Sequence, residues 1–249
     1  MREEGFARKG LITGCGKGIG LSCLKKFLES DESAFGVGIS RSRTKSIIEL
    51  EEKYQDRFIF KEIDICNYKE INSFVKESYK EIGGYDFAIL NAGIRSRISI
   101  EKATVEDYRR VLEVNTISNI NLTKILVSLK SKQANSLNIL FVSSIVGIRG
   151  FDELSTYGVS KAALEGFIKS SSVELAKSNV LLNSINPGFT KSSYADSFRE
   201  NKTELYQWTI DKTPLARWAE CEEVAKVALF LVSEHNTYMT GSTIYCDGG

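Results

Sequence analysis

The sequence is poor in the residues that build metal sites, disulfide frameworks and rigid linkers. It has one histidine, two prolines and five cysteines in 249 residues. With a single histidine, His235, a Ser/His/Asp triad or a histidine metal cluster has little to draw on, and a surface loop before the last strand is the simpler place for it. The cysteines (Cys15, Cys23, Cys66, Cys221 and Cys246) are odd in number and none sits at Cys-x-x-Cys spacing. That points away from a disulfide scaffold or zinc site and towards a reducing, cytoplasmic setting, with no metal. No apolar run exceeds about six residues, as in Val227 to Val232, far short of a bilayer span. The first residues, Met1-Arg2-Glu3-Glu4, lack the apolar stretch of a signal peptide. The formal net charge is +1, so neither nucleic acid nor a membrane is the expected partner.

What the chain does have is alternation. Apolar runs at 10–13, 34–39, 58–63, 85–90, 137–143, 180–186 and 242–246 read as strands. Amphipathic stretches at about 18–30, 44–54, 68–82, 104–130, 155–178 and 220–233 read as helices. No Pro-rich, Gly/Ser-rich or repetitive linker divides them. Strand and helix in turn imply βαβ units. The expected fold is a single α/β domain over 1–249, a Rossmann-type, doubly wound, parallel sheet of seven strands. Ligands of such folds bind beyond the carboxyl ends of the strands.

The first strand run ends in Thr13-Gly14-Cys15-Gly16-Lys17-Gly18-Ile19-Gly20. Glycines at 14, 18 and 20 remove Cβ atoms where backbone N–H groups and a helix N-terminus can approach a pyrophosphate. The spacing is Gly-x-x-x-Gly-x-Gly, not Gly-x-Gly-x-x-Gly, and Gly18 after Lys17 rules out a triphosphate P-loop. A tight strand-to-helix turn with no ligand would read the same way. Within this turn Cys15 reads as a small spectator rather than a redox sensor. The second strand runs into Ser40-Arg41-Ser42-Arg43. A carboxylate there would bind a ribose 2′-hydroxyl; a guanidinium binds a 2′-phosphate, and Lys17 can approach the same group.

Tyr157 and Lys161 lie four apart, on one face of a helix. A nearby ammonium favours the phenolate and turns a weak acid into a usable proton donor and acceptor. Ser144 follows a strand run, where its hydroxyl can hold a substrate oxygen beside the phenol. The Tyr-x-x-x-Lys spacing alone is common.

Together these pieces resemble the short-chain dehydrogenase/reductase family in its compact form. The resemblance runs from Lys9 to Gly249. It takes in the glycine turn, Asp64, Asn91-Ala92-Gly93, Asn115, Ser144, Tyr157, Lys161, Pro187-Gly188, Thr240-Gly241 and Asp247-Gly248-Gly249. It implies that Tyr157 is the acid–base, that Lys161 lowers its pKa and binds the nicotinamide ribose, that Ser144 orients the carbonyl, and that Asn115 holds a proton-relaying water. By the same resemblance Asp64 and Ile65 border the adenine, Asn91, Ala92 and Gly93 line the cofactor cleft, and Pro187, Gly188 and the segment to Ser192 meet the nicotinamide. With Gly14, Lys17, Gly18, Ile19, Gly20, Ser40 and Arg41 these form the expected NADP(H) site. Ser192 stands where the family usually has threonine, and keeps the hydroxyl.

The implied activity is NADP(H)-dependent interconversion of a carbonyl and a secondary alcohol. The pattern is similar to 3-oxoacyl-[acyl-carrier-protein] reductases and to carbonyl reductases. A sugar or polyol dehydrogenase is the alternative, and a cofactor-binding regulator with a dead site a remote one. A substrate lid is expected at about 190–213, carrying Tyr194, Phe198, Tyr206 and Trp208. The segment Ile94-Arg95-Ser96-Arg97 gives no decisive substrate signature. Small-molecule substrates and a homotetramer, or at least a homodimer, complete the expectation.

Overall fold

The structure is a computed structural model, and residues 8–130, 136–192 and 203–249 are described. Seven parallel strands form one sheet: β1 (Arg8–Thr13), β2 (Ala34–Ser40), β3 (Phe58–Glu62), β4 (Phe87–Leu90), β5 (Leu137–Val142), β6 (Val180–Pro187) and, last in the chain, β9 (Thr243–Cys246), in the order β3-β2-β1-β4-β5-β6-β9. A two-residue pair, β7 (Thr190–Lys191) with β8 (Ala219–Glu220), stands apart. The strand order reverses between β1 and β4, so the crevice forms at the carboxyl ends of those two strands.

Helices cover both faces. They are α1 (Gly18–Ser30), α2 (Lys45–Lys53), α3 (Tyr68–Ile82), α4 (Val105–Leu112), α5 (Ser118–Lys130), α6 (Ser155–Leu175), α7 (Thr203–Asp211) and α8 (Cys221–Leu231). The central strands are largely apolar because both faces are covered: Leu11, Val37, Leu90, Ile139 and Leu182 join one core layer, and Ile12, Phe87, Ile89, Leu140 and Ile185 the other. Among the described residues no helix is long and apolar enough to cross a membrane.

The sequence expectation of one helix over 104–130 is corrected here. The chain runs through α4, widens into a π-helical turn over Glu113–Ile117, and resumes as α5. Single π turns in α-helices are often functional, and this one carries Asn115. The pattern at 155–178 is α6 followed by a 3₁₀ turn, Ala176–Ser178. The two-residue strands and α7 were not anticipated. Of the expected lid, Tyr194 and Phe198 lie outside the described residues.

Candidate active site

A cleft of about 530 Å³ opens at the carboxyl ends of the strands. Among the residues expected at the site, Gly14, Lys17, Gly18, Ile19, Ser40, Arg41, Asp64, Ile65, Asn91, Ala92, Gly93, Ser144, Tyr157, Lys161, Pro187, Gly188 and Ser192 line it. Gly20 and Asn115 lie one layer behind.

The glycine turn is tied to β4 from across the switch point. Thr13 Oγ1 accepts the backbone N–H groups of Asn91 and Ala92, both at 3.1 Å. Asn91 Nδ2 donates to the carbonyls of Thr13 at 3.2 Å and Gly14 at 3.1 Å. Gly14 has φ +65°, and a Cβ there would stand 2.7 Å from Asn91 Nδ2. At Gly20 a Cβ would stand 2.4 Å from the Gly14 carbonyl oxygen. Both positions exclude a side chain, so the turn is as tight as a pyrophosphate approach requires.

The N-terminus of α1 opens into this cleft. Its cap residue, Lys17, makes no side-chain cap, and the first turn carries no acidic residue. By contrast, α3 and α4 are capped by Asn67 and Thr104. Uncapped N–H groups and the positive end of a helix dipole fit a phosphate. At the mouth, Ser40 and Arg41 end β2. Arg43 is engaged elsewhere: it pairs with Glu51 at 3.3 Å, and its backbone N–H donates to Glu62 at 2.9 Å. Asp64 is exposed at the same end and Ile65 is buried beside it. The residues present therefore fit a dinucleotide. Cys15 has no part in this: it is fully buried, and burial pushes its thiol up to about 12.

At the other end, Ser144 follows β5 and Tyr157 lies in the first turn of α6. Both line the cleft, and the Ser144 hydroxyl acts on the Tyr157 phenol, lowering its pKa. Ser144 Oγ also accepts the Val146 N–H at 3.2 Å. Lys161, one turn further along α6, is buried, donates to the Val142 carbonyl at 2.8 Å, and lies 5.6 Å from the centre of the Tyr157 ring. Ser143 Oγ is buried and without a partner among the described residues. It also lines the cleft.

Electrostatics differ from the sequence expectation in one respect. Burial holds the Tyr157 phenol above its ordinary value; the positive charge of Arg95, followed by the Ser144 hydrogen bond, pulls it back. Lys161 is itself lowered to about 8 by burial, against the opposing charge of Glu165. Arg95, a residue to which the sequence reading gave no role, is thus one of the groups whose charge acts on the Tyr157 phenol.

Asn115 sits behind Gly93. Its Oδ1 accepts the Ile94 N–H at 2.7 Å, and its Nδ2 donates to the Ile94 carbonyl at 2.9 Å and to Ser160 Oγ at 3.0 Å. Ser160 Oγ in turn donates to the Tyr157 carbonyl at 2.7 Å. A Cβ on Gly93 would lie 3.0 Å from Asn115 Oδ1 and 3.8 Å from Lys161 Nζ. The π turn thus joins the β4 loop to the helix bearing Tyr157 and Lys161.

The outer wall is aromatic. Phe189 stacks on Trp218 at 5.6 Å, Phe151 meets Phe189 edge-on at 6.0 Å, and Trp218 Nε1 donates to Thr209 Oγ1 at 2.7 Å. Trp208 and Leu205 of α7 line the same space.

The family described as Enoyl-(Acyl carrier protein) reductase matches residues 14–249. The 3-oxoacyl-[acyl-carrier-protein] reductase FabG of Thermotoga maritima is 31% identical over 249 residues, covering 100% of this chain and 99% of that protein. The protein of the same name from Aquifex aeolicus is 32% identical over 96% of this chain and 95% of its own. A trans-4-hydroxycyclohexanecarboxylate dehydrogenase of Sinomonas cyclohexanicum is 29% identical over 78% of this chain and 71% of its own. Among solved structures, ElxO with NADP bound superposes with a TM-score of 0.89 at 26% identity, over 97% of this chain and 98% of that one. The chain belongs to the short-chain dehydrogenase/reductase family, nicotinamide-dependent oxidoreductases that act on carbonyl and alcohol groups.

Proposed function

We propose that this protein interconverts a ketone and a secondary alcohol with NADP(H), using Tyr157 as acid–base. The observation that carries the reading is that Ser144, Tyr157 and Lys161, the last one helical turn beyond Tyr157, line the same cleft as an uncapped helix N-terminus. When bound, the nicotinamide supplies or accepts hydride. The rest falls to the chain's own residues. Ser144 and Tyr157 hold the carbonyl oxygen from one side. As the C=O bond is reduced, the Tyr157 proton moves to that oxygen, and the tyrosinate regains a proton from solvent. Lys161 keeps positive charge beside the phenolate while it exists. Asn115 acts by fixing the β4 loop and α6 relative to each other. Oxidation runs the same steps in reverse.

NADP(H) rather than NAD(H) is supported by Ser40 and Arg41 at the end of β2, where no carboxylate stands, with Lys17 lining the same cleft. Residues 190–213 serve as the substrate lid; its described part, with Leu205 and Trp208, already borders the cleft. A homotetramer or homodimer is supported by apolar residues exposed along α6, Val159 and Val173. Five free thiols support a cytoplasmic setting.

Full-length relatives that reduce 3-oxoacyl groups support a 3-oxoacyl thioester as substrate. The aromatic wall favours a second reading, a ring ketone or cyclic alcohol, as in the Sinomonas relative. Turnover with NADPH and with NADH across acetoacetyl thioesters, ring ketones and keto-sugars tests both. A fall in turnover of about 10²–10⁴ in Tyr157→Phe is the expected control; full activity in it overturns the reading.

A further inference from the structure

Two loops wall the substrate half of the cleft, and an ion pair joins them. The loop after β4 contributes Ile94 and Arg97 to the lining; the loop before α6 contributes Phe151 and Leu154. Arg97 Nη1 donates to Glu153 Oε2 at 3.2 Å. Beside it, the Ile98 N–H donates to the Glu153 carbonyl at 2.8 Å. This brace stands close to the chemistry. Glu153 precedes Leu154, whose carbonyl accepts the Gly158 N–H at 2.7 Å in the first turn of α6, the turn that carries Tyr157. On the opposite side Asn115 already holds Ile94.

Stability alone would not select this arrangement. Glu153 has φ +58°, in the left-handed region where a side chain is strained. Asn179 shares that region, but asparagine tolerates it and glutamate does not. Arg97 Nε is buried and, among the described residues, has no hydrogen-bond partner. The pair itself is partly exposed, with 19% of the Arg97 side chain and 36% of the Glu153 side chain open to solvent, so it returns little stability. Strained residues persist where neighbouring contacts over-determine them, and they concentrate at ligand sites.

We propose that Arg97 and Glu153 are positioning residues that fix the width of the substrate pocket beside Tyr157, and that the physiological substrate is a carbonyl compound unbranched next to the reacting carbon. An apolar pocket whose walls can part discriminates poorly on size. One whose walls are tied rejects extra methyl groups by overlap. Because Glu153 compensates the Arg97 charge, this wall asks for shape and not for an anion. The proposal rests on the carbonyl-reductase reading above and narrows its substrate class.

The test compares ethyl acetoacetate with ethyl pivaloylacetate, which carries a quaternary carbon beside the ketone, with NADPH. The readout is the ratio of their kcat/KM values in the unmodified enzyme, Arg97→Met, Arg97→Lys, Glu153→Gly and the double variant Arg97→Met with Glu153→Gly. The lower intrinsic reactivity of the branched ketone cancels between variants. Glu153→Gly removes the carboxylate and relieves the backbone, so its effect is read in a chain with less strain. The ratio should favour ethyl acetoacetate by about a hundredfold or more in the unmodified enzyme, and fall by roughly tenfold in Arg97→Met and in Glu153→Gly. The fall should come chiefly from a lower KM for the branched ketone. Arg97→Lys should keep most of the selectivity, and the double variant should lose no more than either single one. A second readout does not need turnover: amide exchange at Ile98 and over residues 151–154 should quicken in Arg97→Met while residues 14–20 keep their protection. An unchanged ratio in Arg97→Met or Glu153→Gly, or losses that add in the double variant, overturns the proposal. Quickened exchange without turnover of either ketone by the unmodified enzyme would sustain the brace and count against the carbonyl chemistry instead.

Discussion

Asn115 satisfies both backbone groups of Ile94, accepting its N–H at 2.7 Å and donating to its carbonyl at 2.9 Å. One amide side chain thus takes the place of a strand neighbour for the residue just past Asn91-Ala92-Gly93. Asn115→Ala strands the Ile94 groups and removes the donor to Ser160. Orphaned buried polar groups cost about 1–3 kcal/mol each; with partial access to water at the cleft, a loss of about 2–4 kcal/mol is expected. For a chain of this size that lowers Tm by roughly 5–15 °C. A scanning calorimetry shift under about 2 °C would show that the bridge is not structural.

The proposed preference for NADP(H) rests on Arg41. A charge-assisted contact to phosphate is worth on the order of 1.5–3 kcal/mol. Arg41→Ala should therefore reduce the NADPH-over-NADH preference in kcat/KM by roughly ten- to a hundredfold. Equal specificity constants for the two cofactors in the unmodified enzyme would refute the assignment.

Tyr157→Phe removes the proposed proton donor and keeps the ring. Turnover should fall by about 10²–10⁴ while NADPH binding, followed by fluorescence, stays close to normal. Lys161→Ala should lower turnover and NADPH affinity together. A double variant should lose little more than Tyr157→Phe alone, because residues acting as one unit are not additive. Near-normal turnover in Tyr157→Phe, Ser144→Ala and Lys161→Ala alike would dismiss the site.

Lys161 makes stability depend on pH in a definite direction. Burial lowers its ammonium from 10.5 to about 8, so the folded state holds this proton more weakly than the unfolded chain does. Below about pH 8 both states hold it, and the cost of burying the charge is fully present. Between about 8 and 10.5 the unfolded chain is the more protonated, so this group makes unfolding harder as pH rises. In the cofactor-free protein, urea midpoints of the unmodified chain should therefore gain on those of Lys161→Met across that interval. Parallel curves would sink the idea.

The sheet was legible because strands covered on both faces are largely apolar, and their runs stand out between polar helix faces. Boundaries moved where local bonds intervene: Tyr85 and Asp86 were read as strand, yet Asp86 spends its carboxylate on the Lys9 N–H at 2.8 Å before β4 begins. The π turn was not legible, because one extra residue in a helix scarcely disturbs its periodicity. A signal was nonetheless there. Asn115, Thr116, Ser118, Asn119 and Thr123 are all buried and polar. Several bond back to helix carbonyls, as Asn119 Nδ2 does to Asn115 at 2.8 Å. The cofactor end could be read from glycine spacing, since missing Cβ atoms are a property of sequence. The place of Arg95 in the lining of the cleft could not, because it depends on how Asn115 sets the loop after β4, a contact between segments distant in the chain.

The Asn91 bonds to the Thr13 and Gly14 carbonyls bear on how the chain comes into being. A growing polypeptide has all its turn glycines by Gly20, but the groups that clamp the turn arrive only with Asn91 and Ala92. Before β4 is present beside β1, the Thr13 and Gly14 groups at the turn lack these partners. A bound cofactor would hold the seam between the two halves of the sheet, protecting both flanking strands from proteases and from amide exchange.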